Sequence, residues 1–305
     1  MKSILITGGT GLIGRKLVNV LNKKTQYNVF VLTRNKSLSE KNSKYIYWEP
    51  LNGILDLKKI DNLDVVIHLA GESIDSARWS RSYKKKILDS RVLSTRLLYS
   101  KINILDTKPK TIVTASAIGY YKRDTKRVQD ERCKPDDNFL SNVVIKWEEE
   151  SAKFNNLGIR TIVLRLGIVL SKEGGILKKL NYLFRLGLGV PVGTGNQIMS
   201  WIHEDDIIEI IITALRNNNF SGKINAVAPE KITNKEFTRG LVKNLGALSF
   251  PVFIRVPRII IKILFGERAM LVLNGMNVSS KKIRKLNYNF KFPLFEKALE
   301  SIYKK

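Results

Sequence analysis

The sequence predicts an α/β protein in which a doubly wound parallel sheet is followed by a small, mainly helical C-terminal cap. Short β-branched runs alternate with helical patterns through the first two thirds of the chain. The first run ends in a glycine-rich turn, and the residue pattern changes after Glu230. Strands that alternate with helices are typical of parallel sheets, because parallel neighbours need a crossover connection.

Local patterns predict five strands and three crossover helices in order along the chain. The strands are compact and rich in β-branched residues. They cover residues 3–7, 29–33, 65–70, 111–115 and 161–166. The helices have apolar residues at helical spacing. They cover residues 13–23, 83–98 and 140–154.

The chain is then predicted to leave the sheet, return to it once and form the cap. Frequent glycines at about 167–204 predict a loop-rich excursion that closes a cleft. A helix at 206–215 and a strand at 223–227 return to the sheet. We therefore expect a sheet domain at 1–230 and a cap at 231–305.

The cap is expected to be helical because its sequence contains recognisable start and stop signals. Thr233 and Glu236 have the spacing of a capped helix start. Pro251 and Pro257 are predicted to interrupt the chain, and an apolar helix is predicted after them.

Composition limits the class of protein. With 305 residues and 44% hydrophobic content the chain can form a sizeable core. One cysteine excludes an internal disulfide, and two histidines leave no metal-binding quartet. The first strand leads into glycines instead of a signal-peptide core, so a cytoplasmic location is expected. No run has membrane-spanning length, and no membrane partner is expected.

The net charge of +26 could favour nucleic acid. The lysines are dispersed, however, with only short runs such as Lys84-Lys85-Lys86, and no reading element accompanies them. We expect a solvated basic surface and no specific nucleic-acid partner.

The strongest chemical signal is the turn TGGTGLIG at residues 7–14, directly between a predicted strand and a predicted helix. Gly8 permits a tight turn, Gly11 lets the backbone approach a pyrophosphate, and Gly14 lets helix and strand pack closely. Amides at the helix start donate to anionic oxygens. The turn therefore predicts a Rossmann dinucleotide site. Its expected contacts are Gly8, Thr10, Gly11, Leu12, Ile13 and Gly14.

Thr33 and Arg34 end the second predicted strand, where NAD-selective sites usually present a carboxylate to the ribose. An arginine can instead pair with a 2′-phosphate. NADP is therefore favoured over NAD, the alternative being a solvated loop arginine. Farther along, the small residues after the third strand, Leu69, Ala70 and Gly71, allow close approach of a cofactor. His68 lies inside that apolar strand and is predicted to be a core histidine.

These segments together resemble the atypical branch of the extended short-chain dehydrogenase/reductases, an NAD(P)-dependent epimerase-like family with its own C-terminal domain. The resemblance covers nearly the whole chain. Besides the glycine turn it rests on HLAGESI (68–74), Arg78-Trp79, Ser90-Arg91-Val92, ASAIGYY (115–121), Lys146-Trp147-Glu148, LRLGIVL (164–170), GTGNQ (193–197), SWIH (200–203) and NAVAP (225–229).

The resemblance implies a path for the cofactor. Thr33 and Arg34 would lie at the adenosine phosphate, Leu69 and Ala70 beside the nucleotide, and Ile168 near the nicotinamide. Arg91 would reach back towards the phosphates, although taken alone it reads as a surface helix arginine.

The chain departs from the family at the catalytic pair. Ordinary members use a tyrosine with a lysine four residues later, and none of the ten tyrosines here has that partner. Ser116 matches the serine that orients the substrate oxygen; the alternative is a turn serine. Tyr120 or Tyr121 could supply a proton, the alternative being packing residues.

Lys146 is the nearest substitute cation on the helix that should hold the catalytic pair. Its neighbours Trp147 and Glu148 are predicted to be a packing residue and a surface residue respectively.

The segment 187–201 resembles the one that closes the family's substrate cleft, so Gln197 and Trp201 are expected substrate contacts. His203 and Asp206 are predicted to orient backbone at a helix start, with Asp205 or Asp206 as the cap.

The sequence thus predicts an NADP(H)-binding protein that transfers a hydride at an alcohol or carbonyl carbon of a small-molecule substrate. This could be a net reduction or the oxidise-and-return cycle of an epimerase. The alternative is a non-catalytic protein that senses NADP(H) and signals through its cap.

Overall fold

The computed structural model describes residues 1–124, 126–246 and 255–304. Its strands are β1 (Lys2–Thr7), β2 (Tyr27–Thr33), β3 (Tyr45–Glu49), β4 (Ile54–Leu55), β5 (Val65–His68), β6 (Thr111–Ala117), β7 (Arg160–Leu166), β8 (Ile168–Leu170), β9 (Ile198–Met199), β10 (Trp201–His203), β11 (Gly222–Ala226) and β12 (Ile232–Thr233). Its helices are α1 (Leu12–Asn22), α2 (Lys36–Lys41), α3 (Arg81–Asn103), α4 (Phe139–Ala152), α5 (Gly175–Arg185), α6 (Glu204–Arg216), α7 (Asn234–Leu245), α8 (Arg258–Phe265), α9 (Met270–Leu273), α10 (Lys281–Lys285) and α11 (Phe295–Tyr303).

Eight of the described strands form one sheet in the order β11-β7-β6-β5-β1-β2-β3-β4. Every neighbouring pair is parallel except β3 and β4. The strand order reverses beside β1, which lies between β2 and β5. In open sheets of this kind, ligands bind outside the carboxyl ends of the strands at that reversal. The predicted doubly wound Rossmann fold is therefore confirmed, and it places the glycine turn at the reversal.

Successive residues of the central strands point to opposite faces, and each face is covered by helices. On one face, Ile4 and Ile6 share an apolar cluster with Leu17 of α1 and Ile211 of α6. On the other face, Leu5 lies in a second cluster with buried residues of α3. The core is thus two apolar layers, one on each side of the sheet.

The six predicted sheet strands are confirmed to within two residues at each end. The prediction of a loop-rich excursion at 167–204 is wrong in part, because α5, β8, β9 and β10 lie there. Leu177 and Phe184 of α5 are buried and Leu180 is partly buried, at helical spacing. The many glycines around this helix concealed its apolar face.

The C-terminal residues form short helices, as predicted. Thr233 caps α7 through a capping box with Glu236. Pro257 immediately precedes α8, whereas Pro251 lies outside the described residues. Trp201 and Phe295 lie in one apolar cluster with residues of α5, α7 and α11, so the cap shares a core with the 167–204 segment. The domain boundary at residue 230 stays a prediction.

No helix in the described ranges is both long enough and apolar enough to cross a membrane.

Candidate functional site

The glycine turn is held in shape by contacts that exclude larger residues. Gly8 has a φ of 69°, and its carbonyl accepts a hydrogen bond from the amide of Gly11 at 2.9 Å. A Cβ on Gly14 would lie 2.1 Å from that same carbonyl oxygen. A Cβ on Gly8 would lie 2.8 Å from the backbone of Leu69. Each glycine is therefore required by backbone that passes next to it.

The first turn of α1 offers free donors to a ligand. Gly11 is the N-cap residue, so no side chain caps the helix start, and no acidic residue lies in the first turn. Thr10 and Gly11 are exposed, while Leu12 and Ile13 are half-buried. Amides and helix dipole at such an end favour phosphate oxygens. The turn fits the pyrophosphate of a dinucleotide.

Thr7 joins the ends of β1 and β5 next to this turn. Its Oγ1 accepts hydrogen bonds from the amides of Leu69 and Ala70, at 3.1 and 3.0 Å, and lies 2.7 Å from Nδ1 of His68. His68 Nε2 lies 3.0 Å from Oγ1 of Thr95. The predicted core histidine is confirmed, since His68 has no exposed surface. Burial, assisted by the charge of Arg91, lowers the pKa of His68 to about 3, so it stays neutral at neutral pH.

The end of β2 places a polar residue and a cation beside the turn. Thr33 is buried, and its Oγ1 accepts from the amide of Asn35 at 3.1 Å. Arg34 is exposed and takes part in none of the ion pairs found among the described residues. Its guanidinium is thus available to an anion from solvent.

Arg91 of α3 supports the segment that follows β5. Its Nη1 donates to the carbonyl oxygens of Glu72 and Ile87, each at 3.0 Å. A Cβ on Gly71 would lie 3.2 Å from the Arg91 guanidinium carbon. Burial lowers the pKa of Arg91 to about 10, so it remains charged at neutral pH. Arg91 therefore brings a positive charge to the sheet edge where the glycine turn lies.

Ser116, at the end of β6, belongs to a buried polar network. Its hydroxyl donates to Oε1 of Glu148 at 2.7 Å. Arg165 of β7 donates through Nε to Glu148 Oε1 and through Nη2 to Oε2, both at 2.7 Å. Ser116, Glu148 and Arg165 are 3%, 4% and 0% exposed. The prediction of Glu148 as a surface residue is wrong, because α4 turns this carboxylate onto the sheet, where Arg165 neutralises it.

One sequence signal could have revealed this pair. Arg165 stands in the apolar run of a central strand, where both faces are covered. A charged side chain in that position needs a buried partner of opposite charge. Burial alone would raise the pKa of Glu148, but the hydrogen bonds and charge of Arg165 hold that pKa below its ordinary value. Glu148 is therefore a carboxylate.

Both tyrosines of the ASAIGYY segment lie against Arg165. The ring of Tyr120 is half-buried with its centroid 3.6 Å from the guanidinium carbon. Tyr121 is fully buried; its hydroxyl accepts from Arg165 Nη1 at 2.8 Å and donates to Asn225 Oδ1 at 2.7 Å. Burial raises the pKa of Tyr121 far above its ordinary value, so this hydroxyl is a poor proton donor. Tyr120 remains the accessible phenol of the pair.

The structure does not bring Lys146 together with Ser116. Lys146 is exposed on α4, whereas the same helix buries Leu140, Val144 and Trp147. Trp147 is a packing residue, as predicted. The group on α4 that contacts Ser116 is Glu148, two residues after Lys146.

The two expected substrate contacts are buried by the cap. Trp201 has no exposed surface and packs edge-on against Phe295 at 5.4 Å between ring centroids. Gln197 is 6% exposed, and its Nε2 donates to the carbonyls of Val192 and Val272. Direct substrate contact is therefore not supported for Trp201, because its ring is enclosed in the apolar cluster of the cap. Ile168, expected near the nicotinamide, is half-buried on β8.

Residues 203–206 orient backbone at the start of α6, as predicted, but the residue that caps the helix is a different one. His203, not Asp205 or Asp206, caps α6: its Nδ1 accepts from the amide of Asp205 at 3.1 Å. Asp206 does orient backbone, accepting from the amides of Lys291 and Phe292. Within residues 1–124, 126–246 and 255–304, no group of three His, Cys, Asp or Glu side chains could hold a metal ion.

Known proteins match this arrangement along the whole chain. Residues 4–228 match the NAD dependent epimerase/dehydratase family, and residues 256–302 match a domain of unknown function, DUF1731. The human epimerase family protein SDR39U1, whose crystal structure is with NADPH, is 33% identical, with a TM-score of 0.89 over 99% of each chain. A nucleoside-diphosphate sugar epimerase from Corynebacterium glutamicum is 29% identical, with a TM-score of 0.79 over 99% of this chain and 58% of that one.

The sequence of an epimerase family protein from Staphylococcus aureus strain MRSA252 is 35% identical over 308 residues, which cover 100% of both chains. Together with the family model and the glycine turn, this similarity means that the chain belongs to the NAD dependent epimerase/dehydratase family.

Proposed function

We propose that this protein binds NADP(H) and transfers a hydride at an alcohol or carbonyl carbon of a small-molecule substrate. The observation on which the proposal depends is the turn of Gly8, Gly11 and Gly14, which leads into an uncapped helix at the strand-order reversal. Ser116 ends a strand at the same edge of the sheet. When bound, the cofactor supplies or accepts the hydride.

The preference for NADP(H) over NAD(H) is supported by Arg34. Its exposed guanidinium follows buried Thr33 at the end of β2, where a ribose 2′-phosphate would lie. The similar human protein has a crystal structure with NADPH. Gly8, Thr10, Gly11, Leu12, Ile13 and Gly14 would hold the pyrophosphate. Leu69, Ala70, Gly71, Arg91 and Ile168 would line the rest of the cofactor path.

The proposed substrate site lies between residues 1–230 and the cap at 231–305. Arg123 donates to the carbonyl of Met270 at 2.8 Å, and Arg268 donates to that of Asp75 at 3.2 Å. These contacts place the cap segment beside the loops that follow β5 and β6. Ser116 would orient the reacting oxygen, and Tyr120, the half-buried phenol whose ring lies against Arg165, would be the second candidate proton donor.

A second function, NADP(H) sensing without catalysis, is favoured by two observations. No tyrosine has a lysine four residues later, and Tyr121 is buried with a raised pKa. A positioned acid or base contributes about 10²–10⁴ in rate. Loss of the usual pair can therefore abolish turnover while cofactor binding remains.

The experiment that tests these functions compares the wild type with Ser116→Ala, Gly11→Ala and the control Ser151→Ala. Ser151 is a buried serine of α4 whose hydroxyl donates to the carbonyl of Trp147 in its own helix. NADPH binding is followed by fluorescence, and reduction is assayed on a panel of aldehydes and ketones. For an enzyme, Ser116→Ala should lower kcat by about 10²–10⁴-fold, as for loss of a positioned proton-transfer group, while NADPH binding is kept.

Gly11→Ala should weaken NADPH binding, because its Cβ would lie 3.2 Å from the carbonyl of Gly8 and cover the helix start. Ser151→Ala should match the wild type in both assays. A sensor would bind NADPH and reduce nothing. Failure of the wild type to bind NADPH would contradict both functions.

A further inference from the structure

Ser116 cannot donate its proton to a substrate while the observed network is intact. The hydroxyl proton is directed at Glu148 Oε1, 2.7 Å away, and a carboxylate can only accept. The remaining lone pairs of Ser116 Oγ can only accept a hydrogen bond. A substrate group that meets this oxygen must therefore donate, which a hydroxyl can do and a carbonyl cannot.

Glu148 is fixed in this orientation from several sides. Arg165 holds both carboxylate oxygens, and Arg165 is itself held by the hydroxyl of Tyr121 and by the ring of Tyr120. Bidentate charge-assisted bonds of this kind are directional as well as strong. Glu148 therefore controls where the Ser116 proton points.

The same carboxylate has a second neighbour at the surface. Lys223 Nζ lies 3.4 Å from Glu148 Oε2, and the Lys223 side chain is 47% exposed. Glu148 is thus held by two cations, one buried and one in contact with solvent.

We infer that Glu148 is the positioning residue of this site: it holds the Ser116 proton so that Ser116 Oγ accepts from a substrate hydroxyl and relays the reaction proton to Glu148. The inference rests on the proposed function. It narrows the substrate that binds while Glu148 is ionised to an alcohol. It also supplies the proton exchange that the missing tyrosine–lysine pair performs in ordinary members.

The proton step balances as follows in the direction of alcohol oxidation. The substrate carbon loses a hydride to the proposed oxidised cofactor, and the alcohol O–H bond breaks as a new O–H bond forms at Ser116 Oγ. The original Ser116 proton moves to Glu148, which becomes a neutral carboxyl. The low pKa of Glu148 favours return of this proton, which suits a cycle that oxidises an alcohol and then reduces the carbonyl.

The test uses Glu148→Gln with Glu150→Gln as the matched control. Glu150 lies on the same helix, is 6% exposed and is also ion-paired, with Arg96 and Lys153. Rates are measured with a panel of alcohols plus NADP⁺ and with the matching carbonyl compounds plus NADPH. Glu148→Gln should lower kcat by about 10²-fold or more with KM and NADPH binding within about twofold, whereas Glu150→Gln should leave kcat unchanged.

A double-mutant cycle adds a readout that is independent of turnover. Thermal unfolding of Ser116→Ala, Glu148→Gln and the double variant should be non-additive, because both changes act on the same charge-assisted hydrogen bond. The double variant should also be no slower than Ser116→Ala alone, since the two residues act in series. Additive unfolding effects or multiplied rate losses would overturn the inference.

If Glu148→Gln does not fold, because Arg165 is left buried without its partner, Glu148→Asp replaces it. The aspartate keeps the charge for Arg165 but draws the carboxylate back from Ser116, so kcat should still fall. Wild-type kcat in a folded Glu148 variant would contradict this inference alone. A wild type without turnover on either panel would contradict the catalytic function, and the inference with it.

Discussion

At the end of β2, a buried threonine is followed by an arginine whose charge faces solvent. Arg34→Ala should remove the preference for NADPH over NADH, because the 2′-phosphate would lose its cationic partner. A charge-assisted hydrogen bond contributes about 1.5–3 kcal/mol, so NADPH affinity should fall on the order of tenfold to a hundredfold. NADH affinity should hardly change. Calorimetry with both cofactors measures the two effects.

Lys36→Ala is the control for this change. Lys36 is another exposed cation two residues farther on, at the start of α2, so its removal alters the local charge equally. It should leave the ratio of the two affinities as it is in the wild type. Equal affinities for NADPH and NADH in the unmodified protein would rule out the role of Arg34.

The residues of the glycine turn could be predicted from their spacing, whereas in the Ser116 network Ser116 was predicted but its partner Glu148 was not. The turn is largely local: Gly14 is required by the carbonyl of Gly8 earlier in the same turn, although Gly8 is also crowded by the backbone of Leu69, just after β5. Glu148 acquires its role from Arg165, which lies 17 residues later on a different element. A glutamate in a helix is mostly exposed, although Glu148 follows the buried residues Leu140 and Val144 at helical spacing.

Among the secondary-structure elements, the sheet strands were predictable and the short pieces at its margin were not. Each central strand is a continuous apolar run, because both of its faces are covered. β3 and the edge strand β4 were missed because they are short and only part of their side chains is buried. α5 was missed because its helical spacing is surrounded by glycines. Tertiary packing, not local pattern, fixes these elements.

Two buried histidines, one at the start of α6 and one on β5, make the stability of the protein depend on pH. Burial lowers the pKa of His203 to about 4, and His68 is lowered to about 3. In an unfolded chain both would titrate near pH 6.5. As pH falls below that value, both histidines become protonated in the unfolded chain but stay neutral in the folded chain. The free energy of unfolding therefore falls with pH from about 6.5 down to the folded pKa values.

His203→Asn should remove about half of this dependence. Asparagine can cap α6 by accepting from the amide of Asp205, as His203 does, but it takes up no proton. Between pH 6 and pH 5 each histidine should account for a loss of roughly 1 kcal/mol. Denaturant unfolding at these two pH values measures the loss in each variant. Most aspartates and glutamates stay ionised in this window, so their contribution is small.

Thr233→Asn is the matched control, because it also exchanges one good N-cap residue for another, at α7, without removing a titrating group. It should keep the wild-type slope of stability against pH. If His203→Asn had that same slope, the neutral state assigned to His203 would be incorrect.

At the scale of the whole molecule, the net charge of +26 raises the question of nucleic acid. The run with most lysines in succession is already paired in the structure. Lys84 contacts Glu267, Lys85 contacts Asp89, and Lys86 lies 3.5 Å from Glu72. Farther along, Lys282 donates to the carbonyl of Lys223. Positive charge is therefore spread over the surface and is partly neutralised where the sequence concentrates it.

We expect DNA to bind only through this diffuse charge. Such binding releases counterions. The logarithm of the affinity should therefore fall steeply and linearly with the logarithm of the salt concentration, between about 50 and 200 mM. Two duplexes of unrelated sequence should bind equally, because binding through diffuse charge does not distinguish base edges. Replacing Lys84, Lys85 and Lys86 together by Gln should change the affinity little, since they are three of 53 basic residues. Fluorescence anisotropy with both duplexes measures these effects. Sequence-selective binding that survives about 150 mM salt would show that the charge serves a specific nucleic-acid partner.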